Sequence, residues 1–281
     1  MKYTQAFCES EYNIRARVPE YPAFLSRWAA QGAATRRLHA CLLDLEYGKE
    51  PAERLDLFPA RAEPSPLLVF IHGGYWRACD KSDFSWVAPN LVQHGITVAL
   101  INYGLAPRTP IEQMVRQTLA AIAWLYRNAA GYGIDRDRIN LCGHSAGAHL
   151  GTMSMAALWK LVGADLPADL VKGVLAISGV YDLEPLVHAP FLNVDLKLDR
   201  ERAIRLSPVH YPPRPGARLI TAVGGAESSE FARQTALIGQ QWRSNLLRDV
   251  PLPGCNHYEA IEALPDPASG LFDGALDLVR R

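Results

Sequence analysis

The chain has 281 residues, 49% of them hydrophobic, with 29 basic side chains against 29 acidic ones. That composition excludes a disordered chain, which needs low hydrophobicity and unbalanced charge, and it provides no field to attract nucleic acid or an anionic membrane. No apolar run approaches the roughly 20 residues of a spanning helix, and the charged opening segment reads as neither signal nor transit peptide.

Residues 1–40 are expected to form an N-terminal helical extension. Leu42–Tyr47 and Arg54–Phe58 alternate apolar with polar around the turn-like Gly48-Lys49-Glu50-Pro51, the pattern of antiparallel edge strands. The runs Leu67–Ile71, Ile96–Ile101, Arg138–Cys142, Gly173–Ser178 and Arg218–Val223 are short and almost unbroken in Val, Ile and Leu. Such runs read as strands buried on both faces of a parallel sheet. Between them lie helices. Pro110–Asn128 opens on proline and carries Ile111, Met114, Val115, Leu119, Ile122 and Leu125 as an apolar stripe. Ser145–Lys160 and Ser229–Arg243 are also read as helical. Strand alternating with helix predicts an α/β fold, a mostly parallel doubly wound sheet with an antiparallel N-terminal edge. The whole chain, 1–281, reads as a single domain, with 182–216 as an insertion or lid over the active site.

Cys8, Cys41, Cys79, Cys142 and Cys255 are scattered, with no Cys-x-x-Cys pair. They read as free thiols of a cytoplasmic protein. His144 and His149 are five apart, which misaligns them on a helix, and no carboxylate lies near, so no metal site is expected. No phosphate-binding or dinucleotide glycine motif is present.

The most informative segment is Gly143-His144-Ser145-Ala146-Gly147. A strand ends before it and a helical pattern starts after it, the setting of a nucleophile elbow that presents Ser145 at a helix N-terminus. A chance Gly-x-Ser-x-Gly turn would not need that setting. His72-Gly73-Gly74-Tyr75-Trp76 follows the first buried strand. Glycine there lets the backbone N–H groups of Gly73 and Gly74 approach a reacting carbonyl oxygen, with the Ala146 N–H completing an oxyanion hole. A serine needs a base, and the base needs an acid to orient it. His257, in the loop after Val250-Pro251-Leu252, is the expected base; His188 and His210 come too early in the chain. Glu227, in the loop after Arg218–Val223, is the expected acid, with Asp182 as its rival after the preceding strand.

Taken together, these segments resemble the α/β-hydrolase fold, and within it the arylformamidase (kynurenine formamidase) group related to hormone-sensitive-lipase-type esterases. The resemblance runs from about Leu43 to Glu262. It rests on Tyr47-Gly48 with Arg54-Leu55-Asp56-Leu57, on His72-Gly73-Gly74-Tyr75-Trp76, on Asn102-Tyr103-Gly104-Leu105-Ala106-Pro107, and most of all on Gly143–Leu150. One departure is the acid: the family usually has Asp where this chain has Glu227.

The resemblance implies a serine hydrolase that removes a small acyl group from an aromatic amine or ester, as in N-formylkynurenine-type amide hydrolysis, with no cofactor. A general short-chain carboxylesterase or thioesterase is the alternative. A hydrolase scaffold that only binds a small molecule would be expected to lack Ser145 or His257, and both are present. Tyr75, Trp76, Phe191 and Tyr258 are expected to bind the substrate, with Leu192 beside them, as an apolar wall that leaves room for a small acyl group. The expected partner is a small-molecule substrate, without nucleic acid or membrane; a homodimer is left open.

Overall fold

Every residue of β3 (Ser65–Ile71) is buried, and its side chains alternate between two apolar cores. Leu67, Val69 and Ile71 pack into one core; Leu68 and Phe70 pack into the other. β4 (Thr97–Ile101) divides in the same way, with Ala99 and Ile101 on one face and Val98 and Leu100 on the other. A strand with water on neither side has no need of polar residues, so these segments read as unbroken apolar runs.

A computed structural model describes residues 3–280. Its other strands are β1 (Leu42–Glu46), β2 (Arg54–Phe58), β5 (Ile134–His144), β6 (Val171–Ile177), β7 (Arg218–Gly224) and β8 (Leu246–Leu252). Among the described residues they form one sheet in the order β1-β2-β4-β3-β5-β6-β7-β8. β1 pairs antiparallel with β2, and β2 antiparallel with β4. From β4 to β8 every pairing is parallel. The expected mostly parallel sheet with an antiparallel N-terminal edge is therefore the observed one. β1, at the sheet edge, is largely exposed.

Helices α1 (Gln5–Tyr12), α2 (Ile14–Arg17) and α3 (Tyr21–Leu38) precede the sheet. The Thr4 side chain caps α1, and Asn13 Oδ1 accepts from the Ala16 N–H to cap α2, so each start is set by a short polar side chain. α4 (Ala88–Gln93) lies on one face of the sheet; α5 (Ile111–Asn128) and α6 (Ala146–Ala156) lie on the other.

Several boundaries differ from the sequence expectation, most of them by one or two residues. α6 stops at Ala156, short of Lys160, because Ala157 is extended (φ −63°, ψ 144°). A separate turn, Trp159–Val162, then buries Trp159, and Arg214 Nε donates to the freed Ala157 carbonyl at 3.1 Å. Burial of one tryptophan outweighs helical continuity there. β5 begins at Ile134, earlier than the apolar run, because Ile134 already pairs with Ser65; the polar Asp135-Arg136-Asp137 segment lies in the register shift before Ile139 pairs with Leu67. The helix predicted to reach Arg243 ends at Gln241.

The segment between β6 and β7 is a series of short helices, Glu184–His188, Pro190–Leu196, Arg200–Arg205 and Pro208–His210. Arg77, beyond β3, reaches this segment, donating to the Phe191 carbonyl at 2.7 Å and to Asp195 at 2.9 Å.

Candidate active site

The parallel strands all end on one side of the sheet, so the loops that follow them gather there. β5 runs into α6 through Ser145, whose backbone sits at φ 56°, ψ −118°. A positive φ is strained for a residue with a Cβ. It is held by the Ser145 N–H, which donates to the Ile177 carbonyl at 2.8 Å, and by glycine next door: a Cβ on Gly147 would overlap the Ile71 carbonyl oxygen. The serine is 2% exposed. Its hydroxyl makes no hydrogen bond among those of the described residues, as in many unliganded sites where catalytic bonds tighten only around substrate.

The loop after β3 passes beside this serine. A Cβ on Gly73 would stand 2.9 Å from the His144 carbonyl oxygen and 3.1 Å from Ser145 Cβ, so backbone approaches backbone with no side chain between. Gly74 has φ +100°. The loop is braced from β4: Tyr103 stacks on His72 at 4.4 Å between ring centroids, and its hydroxyl donates to the His72 carbonyl at 2.8 Å. Ala146 is the first residue of α6, so its N–H has no intrahelical acceptor. The Gly73–Gly74 backbone and the head of α6 thus flank Ser145, where an oxyanion would be stabilised.

His257 follows β8 and Glu227 follows β7. His257 Nδ1 donates to Glu227 Oε2 at 2.6 Å, both side chains almost wholly buried. The other Glu227 oxygen accepts from the Gly224 N–H at 2.7 Å and from the Ser178 hydroxyl. With Nδ1 carrying a proton, Nε2 is left as an acceptor. Asp182, the rival acid, lies elsewhere: it accepts from the Glu184 N–H at 3.1 Å and pairs with Arg233 at 3.3 Å. The structure brings Glu227 to His257 and does not bring Asp182.

His144 joins the two halves. Its Nε2 donates to the His257 carbonyl at 3.0 Å, and a carbonyl only accepts, so the His144 proton sits on Nε2. Burial, then the neighbouring His257, hold the His144 pKa well below the usual value, which keeps it neutral. His149 is a core residue whose nitrogens are both used by protein: Nε2 donates to the Leu206 carbonyl at 2.6 Å, and Nδ1 accepts from Trp76 Nε1 at 3.3 Å. Burial lowers its pKa to about 4.

A narrow cavity of about 50 Å³ opens over Gly73, Gly74, His144 and His257. Of the expected substrate contacts, Tyr75, Phe191 and Tyr258 line it. Trp76 does not. It is fully buried and turned towards His149, the two rings edge to face with centroids 5.0 Å apart. With φ 57°, the backbone at Trp76 directs the indole into the core, away from the cavity. Leu192 is likewise a core residue.

Several lining residues carry no readable signal. Asn13, Ile14, Arg15, Leu25 and Trp28 line the cavity, and all come from the N-terminal helices, whose sequence contains no motif. A ring stack holds this cap down: Tyr258 lies on Phe24 at 5.4 Å, on Trp28 at 5.9 Å and on Tyr21 at 6.2 Å. Tyr75 donates its hydroxyl to the Tyr12 carbonyl at 2.6 Å, and the Tyr12 hydroxyl donates to Glu230 at 2.6 Å. The cap thereby ties the loop after β3 to the helix after Glu227. Ser178, another residue without a sequence signal, sits at φ 50° just beyond β6.

The BD-FAE family profile matches residues 55–186. A kynurenine formamidase from Salmo salar is 31% identical over 82% of this chain and 79% of its own length. One from Danio rerio is 31% identical over 71% of this chain and 68% of its own. A crystal structure from Silicibacter sp. tm1040, assigned provisionally as a thioesterase, superposes with a TM-score of 0.83 at 32% identity, covering 96% of this chain and 97% of that one. No helix among the described residues is long and apolar enough to cross a membrane.

Proposed function

The chain belongs to the kynurenine formamidase family of α/β-hydrolases and is a hydrolase of ester or amide bonds, and from that premise we propose that it is a serine hydrolase removing a small acyl group, formyl first, from an aromatic amine. Ser145 is the nucleophile, His257 the base and Glu227 the orienting acid. The observation that carries the reading is the 2.6 Å bond from His257 Nδ1 to Glu227, behind a serine held at φ 56° on the head of α6.

The chemistry depends on the tautomer. His257 Nε2 takes the Ser145 hydroxyl proton as Oγ attacks the formyl carbon. The developing oxyanion is met by N–H groups of Gly73 or Gly74 and of Ala146; one such donor contributes roughly 3 kcal/mol in the transition state. The imidazolium, stabilised by Glu227, gives its proton to the departing nitrogen. That transfer matters most for an anilide, which is a very poor leaving anion. Water, deprotonated by the same imidazole, then releases formate from Ser145. No cofactor takes part in these steps. A narrow cavity with aromatic walls suits a flat leaving group and a small acyl group, with ring stacking worth roughly 0.5–1.5 kcal/mol per pair.

The test is a hydrolysis panel: N-formylkynurenine, p-nitrophenyl acetate, butyrate and octanoate, and a short acyl thioester, with Ser145→Ala as control. The expected result is greatest kcat/KM on the formamide, a graded fall along the ester chain, and loss on the order of 10⁶ in the variant. A rise towards octanoate would replace the formamidase reading with a general esterase. Near wild-type turnover by Ser145→Ala would remove the nucleophile.

A further inference from the structure

One nitrogen of His144 has a partner and the other does not. Nε2–H donates to the His257 carbonyl at 3.0 Å, so Nδ1 carries a lone pair and no proton. Among the described residues nothing donates to that lone pair. His144 is nonetheless only 3% exposed, and it lines the cavity. A buried acceptor without a donor is costly, and this one faces the space that a substrate enters. Burial, then the neighbouring His257, hold the His144 pKa well below its ordinary value, so the lone pair stays unprotonated around neutral pH.

The strand decides where His144 points. In β5, Cys142 packs into the core that also holds Trp28, Phe84 and Tyr258. His144 follows by two residues and so points to that side, where the same three rings wall the cavity. Its ring lies against His257, with centroids 4.7 Å apart. The place that a Cβ on Gly73 would take is 3.2 Å from His144 Nδ1 and 3.1 Å from Ser145 Cβ. Nδ1 therefore stands in the corner between nucleophile, base and oxyanion loop. The leaving atom of a substrate takes its proton from the base, which puts that atom in the same corner.

We propose that His144 Nδ1 accepts the hydrogen already carried by the scissile nitrogen, which makes His144 a catalytic residue for amides with no task in ester hydrolysis. This rests on the acyl-transfer reading of the same site, with an aromatic amine as leaving group. The planar amide nitrogen of the substrate carries one N–H. As the C–N bond breaks, the nitrogen gains a second hydrogen from His257 Nε2 and departs as a neutral amine. While that proton moves, positive charge builds on the nitrogen, and its existing N–H becomes a better donor. An acceptor fixed beside it is therefore strongest in the transition state and raises kcat. An ester oxygen carries no hydrogen, so there lone pair would meet lone pair. The bond from Nε2–H to the His257 carbonyl holds the required tautomer in place.

The experiment uses 4-nitroformanilide and 4-nitrophenyl formate, which share acyl group and ring and differ in N–H against O. The readout is the ratio of kcat/KM for the anilide over the ester in wild type, His144→Gln and His144→Asn. Glutamine puts its amide nitrogen where Nε2 stands, which keeps the donor to the His257 carbonyl and leaves no acceptor at Nδ1. Asparagine puts its amide oxygen where Nδ1 stands and loses the bond to His257. His144→Gln is expected to lower the ratio about 10- to 100-fold, mainly through kcat. In His144→Asn both substrates slow, and the ratio stays within a few-fold of wild type. A residue that only steadied His257 would give the opposite pattern, because a displaced base slows the anilide more than the ester. That opposite pattern, or an unchanged ratio in His144→Gln, overturns the proposal. A wild type that cleaves the ester and not the formanilide overturns the formamidase reading and the proposal together; a wild type active on the formanilide with an unchanged ratio in His144→Gln overturns the proposal alone. Melting curves identify a variant that does not fold. Were that His144→Gln, the His144→Asn ratio decides by itself, since a fall of about tenfold or more there also overturns the proposal.

Discussion

Glu227→Gln changes one atom and removes one charge, and the surroundings of Glu227 determine the consequence. Its two oxygens face three donors: the Gly224 N–H and the Ser178 hydroxyl on one oxygen, His257 Nδ1–H on the other. A glutamine has one oxygen to offer. With that oxygen towards Gly224, the amide NH₂ faces Nδ1, and the imidazole must move its proton to Nε2, where it no longer accepts from Ser145. With the amide reversed, the buried Gly224 N–H faces another donor, at a cost of about 1–3 kcal/mol. The first arrangement is the cheaper, since a neutral imidazole changes tautomer freely. The same amide swap in serine-protease triads costs on the order of 10⁴ in kcat, about 5.4 kcal/mol at 1.36 kcal/mol per factor of ten. The assay is p-nitrophenolate release from p-nitrophenyl acetate, read as kcat, with Asp182→Asn in parallel. Asp182 serves Glu184 and Arg233, so its variant should stay within a few-fold of wild type. A Glu227→Gln enzyme within tenfold of wild type, or a larger loss in Asp182→Asn, would refute the tautomer argument.

Gly73→Ala places a methyl group 2.9 Å from the His144 carbonyl oxygen and 3.1 Å from Ser145 Cβ, so the loop must move and an oxyanion donor moves with it. The expected loss is about 10²–10³ in kcat with an unchanged melting temperature, and a variant with full turnover would place the donors elsewhere. His149 is held neutral with its pKa lowered to about 4 by burial, against about 6.5 when unfolded. The unfolded chain therefore binds more protons between those values, and stability falls as pH drops through that window. The contribution approaches about 3 kcal/mol by pH 4 at 1.36 kcal/mol per unit. His72 and His144 are shifted in the same direction, so the pH slope of the urea midpoint in wild type should exceed that of His149→Gln. Identical slopes would show that His149 does not titrate on unfolding.

The residues most open to reading are those whose chemistry is local. Ser145 announces itself because strand, tight turn and helix are consecutive in the chain, and only glycine fits beside the Ile71 carbonyl. The Gly73-Gly74 loop is readable for the same reason. The acid is harder, since Glu227 and Asp182 both follow strands. The place of Glu227 in the loop after Arg218–Val223 favours it, but only the 2.6 Å approach to His257 distinguishes them. Trp76 misleads, because its place next to the Gly73-Gly74 loop says nothing of its direction; at φ 57° the indole turns into the core. The end of α6 misleads because helical composition continues to Lys160, while the burial of Trp159 bends the chain earlier.

By itself the sequence determined the sheet and the elbow. Strands buried on both faces need apolar runs, helices need a periodic stripe, and a strained serine needs glycines within two residues, so each of these is written in neighbouring positions. Tertiary structure decided what closes the site. Arg15 and Trp28 lie far from Tyr258 in the chain, neither belongs to a motif, and each is an ordinary residue type for a surface or a core. They come to one cavity because α2 and α3 pack on the loop after β8 through the Phe24, Trp28 and Tyr258 rings and because Tyr12 bridges Tyr75 to Glu230. Such contacts depend on the relative placement of whole elements, which no local period or spacing encodes.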